Sequence, residues 1–149
     1  MIDQAVQAGV LDCYAAYAHS LDDGLIEEWA ECFTGAGRLE TSRPLVVAGR
    51  RNLIDFGRLW LAAQPGPTRH ASWHHRFTQD GELVRGRCTA ALLQTTESGV
   101  AVLFTATYRD VFAFEDDAWR IAKRHVAIDV PGTRTTPGGV GAPLLRAVD

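Results

Sequence analysis

Apolar residues recur at spacings of three and four from residue 3 to about residue 20, where Val6, Val10, Tyr14, Tyr17 and Leu21 fall on one stripe. Such a stripe predicts an amphipathic helix with one buried face. Asp22-Asp23-Gly24 ends it, and either aspartate suits the N-cap of a second helix from Leu25 to about Phe33. Ile26, Trp29 and Phe33 form that helix's buried edge, and Thr34-Gly35-Ala36-Gly37 closes it. A short strand at 38–41, an extended piece at 45–48 and a third helix from Asn52 to about Ala63 follow. Leu53, Phe56, Trp60 and Leu61 give that helix its apolar face, and Gln64-Pro65-Gly66-Pro67 breaks it. From Thr68 the helical period gives way to alternation. Strands are predicted at about 69–79, 82–96, 100–115 and 118–129, joined at Asp80-Gly81, Glu97-Ser98-Gly99 and Glu115-Asp116-Asp117.

Helices first and a hairpin-linked antiparallel sheet second predict an α+β fold with the helices on one face of the sheet. The 149 residues suit one domain over 1–131, followed by a tail over 132–149 whose Gly, Thr and Pro content shows no period. Leu144-Leu145 within that tail offers a docking point for the body or a neighbouring molecule. A net charge of −3 gives no reason to expect nucleic acid or an acidic membrane as partner. Cys13, Cys32 and Cys88 are odd in number and form no CxxC pair, which points to free thiols in a reducing compartment. The N-terminus lacks a basic stretch followed by a long apolar run, so a soluble cytoplasmic protein is expected.

The candidate chemistry concentrates in Thr68–Phe77, which holds three of the five histidines. Strand alternation puts His70, Ser72 and His74 on one face and Ala71, Trp73 and His75 on the other. His70 is then either a pocket acid–base group, since imidazole exchanges a proton near neutral pH, or a core histidine bonded to backbone. Tyr17 is either a core tyrosine or a hydrogen-bond donor to a substrate oxygen. Asp22 reads first as a helix cap, a role compatible with orienting His70. His74, with the parity of His70, is a pocket-rim candidate, and Tyr14 and Trp60 are pocket-wall candidates for substrate contact. Arg124 is either a solvated edge residue or the holder of a substrate carboxylate or phenolate. His70 and His74 lie too far apart on a strand to share a metal, so no metal and no cofactor is expected.

Tyr14-Ala-Ala-Tyr17-Ala-His-Ser-Leu-Asp22-Asp-Gly-Leu-Ile-Glu-Glu-Trp29-Ala-Glu-Cys-Phe33, the strand opening Thr68-Arg69-His70, and Trp119-Arg-Ile-Ala-Lys-Arg-His-Val126 carry a resemblance covering about residues 4–129. Together they resemble the SnoaL-like branch of the nuclear-transport-factor-2-like superfamily. The resemblance implies a cone-shaped, curved antiparallel sheet wrapped around N-terminal helices, with an apolar pocket. Scytalone dehydratase, bile-acid dehydratase, ketosteroid isomerase and polyketide cyclases share it. Tyr17, five residues before Asp22, resembles the tyrosine–aspartate pair of the bile-acid dehydratases, and His70 takes the place of a catalytic histidine. His19 falls near an aspartate of scytalone dehydratase, and Cys88–Thr96 holds no acid where the ketosteroid isomerases and bile-acid dehydratases have one. The resemblance implies a cofactor-independent lyase or isomerase on a hydrophobic cyclic hydroxy-carbonyl substrate, using His70, Tyr17 and Asp22, and a homo-oligomer, with a dimer favoured. Its alternatives are a non-catalytic β-type subunit of a ring-hydroxylating dioxygenase and a small-molecule-binding protein.

Overall fold

The computed structural model describes residues 1–42 and 44–131. The predicted tail and its Leu144-Leu145 lie outside the described residues. Asp3 opens α1 (Gln4–Asp22) by accepting the Ala5 and Val6 amides at 2.8 and 3.3 Å, which satisfies two of the helix's free N–H groups. The stripe read from the sequence is the buried one: Val10, Tyr14, Tyr17 and Leu21 face the core, with Val6 packed at its margin. Two further helices follow, α2 (Ile26–Glu31) and α3 (Arg50–Ala62).

Six strands form one unclosed, curved sheet in the order β2-β1-β6-β5-β4-β3. They are β1 (Phe33–Thr41), β2 (Leu45–Ala48), β3 (Thr68–Asp80), β4 (Leu83–Thr96), β5 (Gly99–Glu115) and β6 (Ala118–Ile128). The last four strands match the predicted hairpins, and the tight turn at Asp116-Asp117 has both residues at positive φ, as a two-residue hairpin loop requires. Helix α1 lies across β3 and β6, while α3 covers β1 and β2. The core therefore sits between the helices and the inner face, where α1 meets Phe33, Val84, Cys88, Tyr108, Phe112 and Ile121.

Three expectations change. The second helix stops at Glu31, and Phe33 with Thr34–Gly37 belongs to β1 instead of closing a helix. This stretch bulges: Phe33 faces Ile121 and Arg38 faces Lys123, so five steps on β1 span two on β6. Gly37 permits the crowding, because a Cβ there would come within 2.6 Å of Phe33 Cβ. The sheet is not wholly antiparallel, since β1 and β6 pair in parallel. Finally, the α2 N-cap is Leu25, with no side-chain cap bond, so neither Asp22 nor Asp23 serves as its cap. Asp22 is the last residue of α1, and its carboxylate is used elsewhere.

Candidate functional site

His70 stands near the start of β3, an edge strand against which the end of α1 packs. The contact brings Asp22 to it twice. The His70 backbone N–H donates to Asp22 Oδ2 at 2.8 Å, and the ring Nδ1 meets Oδ1 at 2.6 Å. An ionised carboxylate only accepts, so Nδ1 carries a proton, and in the neutral imidazole Nε2 is the acceptor nitrogen. Both side chains are largely withdrawn from solvent, 10% exposed for His70 and 4% for Asp22, which strengthens the bond between them. Trp60 flanks the imidazole at a ring-centroid distance of 5.3 Å, and Tyr17 meets it edge-on at 6.2 Å.

Those three residues share a cavity of about 280 Å³. Its remaining wall is mainly apolar, with Leu21, Leu39, Phe56, Phe104 and Val126 among the lining residues. Tyr17 comes from the buried stripe of α1, and its ring is held by Trp29 at 5.7 Å and Phe33 at 6.0 Å. Burial pushes its phenol above the ordinary tyrosine range, more strongly than the neighbouring Arg124 and Trp29 pull it down. The hydroxyl thus keeps its proton and is a donor, not a base.

Beneath this cavity lies a buried ion pair that is absent from its lining. Asp110 of β5 and Arg124 of β6 are directly opposed across the ladder, and both side chains are fully buried. Arg124 Nε and Nη2 donate to the two carboxylate oxygens at 2.9 and 2.8 Å, a bidentate fork, while the Tyr14 hydroxyl donates to Asp110 Oδ2. The guanidinium also stacks over three rings, at 4.2 Å from Tyr17, 4.4 Å from Tyr108 and 4.9 Å from Tyr14. Gly86, opposite Asp110 on β4, leaves room for this network, since a Cβ would stand 3.0 Å from the Tyr14 hydroxyl. Burial and then Asp110 hold Tyr14 above its ordinary range, and Asp110 secures the charge on Arg124 against its own burial.

The predicted residues therefore separate. His70, Asp22 and Tyr17 come together, with Trp60 beside them. Tyr14 and Arg124 do not line the cavity: the Tyr14 hydroxyl and the Nε and Nη2 of Arg124 are committed to Asp110, while Arg124 Nη1 is buried without a hydrogen-bond partner among the described residues. Arg124 is not a solvated edge: it is fully buried, outside the cavity lining, and two of its three guanidinium nitrogens are taken by Asp110. His74 is exposed and also outside the cavity. Its placement failed because β3 bulges between Trp73 and Arg76, with His74 at φ 58°, which inverts the alternation beyond it. His75 takes the inward place instead, 3.1 Å from Ser72 Oγ through Nε2 and edge-on to Tyr14 at 4.6 Å. Burial, then Arg124, lowers its pKa. Asp110 was missed, although a charge between Tyr108 and Phe112 at the inward parity of an apolar strand was a usable signal.

The three cysteines are free and buried, and burial pushes Cys13 up to about 12 and Cys88 up to about 11, which makes them poor nucleophiles. Among the described residues no three His, Cys, Asp or Glu side chains gather as metal ligands, and no helix is long and apolar enough to cross a membrane.

Solved structures place this architecture in company. A variant of a Mycobacterium tuberculosis protein of unknown function superposes with a TM-score of 0.78 at 26% identity, covering 84% of this chain and 72% of that one. A Catenulispora acidiphila protein in complex with S-DNPA gives 0.78 at 26% identity, covering 85% and 95%. A candidate beta subunit of an aromatic-ring-hydroxylating dioxygenase from Novosphingobium aromaticivorans gives 0.70 at 21%, covering 95% and 98%, a likeness of fold alone. No protein of curated function matches by sequence. Residues 5–125 match the family described as SnoaL-like domain, so by sequence and by fold the chain belongs to the SnoaL-like family.

Proposed function

We propose that this protein is a cofactor-independent lyase or isomerase that acts on a small, hydrophobic, cyclic hydroxy-carbonyl substrate. One observation carries the reading: the Asp22-clamped His70 and the protonated Tyr17 line the same mainly apolar cavity. In this reading His70 Nε2 removes a proton alpha to the substrate carbonyl. Asp22 stabilises the resulting imidazolium, and Tyr17 donates to the carbonyl oxygen as it gains enolate charge. Dehydration is completed when the enolate electrons form the C=C bond, the C–O bond breaks, and the hydroxyl leaves as water with the proton from His70. Returning that proton to another carbon gives double-bond migration instead.

At about 280 Å³ the cavity sits near the lower end of small-molecule sites, which run from about 300 to 1,000 Å³. Its mainly apolar wall lowers the local dielectric and so strengthens the polar contacts made within it. The Catenulispora acidiphila neighbour, solved with S-DNPA, supports a ligand pocket in this fold. The non-catalytic subunit reading expects a cone filled by side chains, and the cavity counts against it.

The test is a screen of cyclic β-hydroxy ketones, followed by the absorbance of the enone product. Wild type is expected to turn over at least one compound. His70→Ala should lose about 10²–10⁴-fold and Tyr17→Phe about 10²–10³-fold in kcat, with the melting temperature of Tyr17→Phe near that of wild type. Ligands that bind wild type and His70→Ala equally, with turnover of none, would instead establish a binding protein.

A further inference from the structure

The outer face of the sheet carries a feature with no part in the cavity chemistry. Pairing across four strands places Arg76 opposite Arg87, Arg87 opposite Arg109, and Arg109 opposite His125. One step along, Arg85 and Lys123 flank Val111, and Arg38 lies opposite Lys123. Directly opposed residues share a face, so all seven basic side chains project from the same side, away from the helices. Among the described residues, these six arginines and lysines thus meet only two carboxylates. Glu40 is shared among Arg38, Lys123 and His125 at 2.5, 3.0 and 3.6 Å, and Asp80 takes Arg85 at 3.1 Å.

Arg76, Arg87 and Arg109 are exposed and have no ion pair among the described residues. Like charges opposed across a ladder destabilise a sheet, so this row works against folding in the free protein. The chain as a whole is acidic, with a net charge of −3. The basic field is therefore local. It is also concave: Arg85, Arg87, Arg109, Lys123, His125 and Glu40 line a depression of about 470 Å³.

We propose that this depression is a second binding site, which takes a small phosphate-bearing anion of at least two negative charges between the forks of Arg87 and Arg109. A planar guanidinium pairs with phosphate oxygens two at a time, and two adjacent forks match an anion with several oxygens. Bound charge also removes the cross-strand repulsion, so binding and sheet stability rise together. A long polyanion or an anionic membrane would meet the acidic remainder of the surface, whereas a small anion meets only the local field.

The probe is sodium pyrophosphate, added to the whole chain and compared with sodium chloride at equal ionic strength. Wild type should show a saturable rise in melting temperature beyond the chloride control, and calorimetric titration should give one site. In Arg87→Ser combined with Arg109→Ser, affinity should fall at least tenfold while the melting temperature without anion stays equal or rises, which also reports that the variant folds. His70→Ala should bind pyrophosphate as wild type does, which separates this site from the cavity. Pyrophosphate acting no better than chloride, or a double variant within threefold of wild-type affinity, would overturn the proposal.

Discussion

Removing Arg124 alone should be among the most damaging single changes to this chain. The substitution Arg124→Met keeps the bulk and the contact with the three tyrosine rings but withdraws two hydrogen bonds, of 2.9 and 2.8 Å, from Asp110. Both partners are fully buried, so no solvent replaces what is lost. Stranding one charge of a buried pair costs about 3–5 kcal/mol. Set against a domain stability of about 5–15 kcal/mol, that is a large share of the total. For a chain of this length each kcal/mol moves the midpoint by about 2–4 °C, so the melting temperature should drop by about 10 °C. Urea unfolding followed by far-UV circular dichroism reads the same loss.

The companion variant Arg124→Met with Asp110→Asn decides the cause. Asparagine is neutral and its carbonyl oxygen still accepts from the Tyr14 hydroxyl, so no charge is stranded. Most of the lost stability should return, because removing both members of a buried pair is often close to neutral. A single variant that loses less than about 1 kcal/mol, the size of an exposed pair, would refute the argument. So would a double variant no more stable than the single one.

Asp22→Asn should leave the fold intact, because its amide oxygen still accepts the His70 backbone N–H, yet lower kcat on a substrate identified in the screen by about 10²–10⁴-fold. The amide prefers to donate to Nδ1, which moves the ring proton to Nε2; a variant retaining a tenth of wild-type activity would remove Asp22 from the orienting role. His75 bears on pH. Its folded pKa lies below the ordinary value of about 6.5, so between the two values the unfolded chain binds the extra proton and stability falls as pH falls. Urea midpoints at pH 7 and pH 5 should therefore drop less for His75→Phe than for wild type, and equal drops would deny the imidazole any share.

The hydrophobic pattern determined much of this protein by itself. Periods of three and four placed α1 and α3, alternation placed β3 to β6, and their turns were visible as Asp-Gly or acidic runs. Local spacing suffices there because each element buries a face that its own residues define. The resemblance carried by the Tyr17–Asp22 spacing and by His70 pointed to the three groups that line or support one cavity.

What depended on the tertiary structure was every case where a distant partner outbid a local preference. Asp22 is a good cap by type, but the packing of α1 on β3 offers it two N–H donors on His70 instead. His74 and His75 exchanged faces because one bulge, invisible to a period of two, reset the register beyond Trp73. Arg124 looked solvated because arginine usually is, and only the opposing register of β5 supplied the carboxylate that allows its burial. The same register lined up Arg76, Arg87 and Arg109 on the outer face, residues far apart in sequence that only strand pairing makes neighbours.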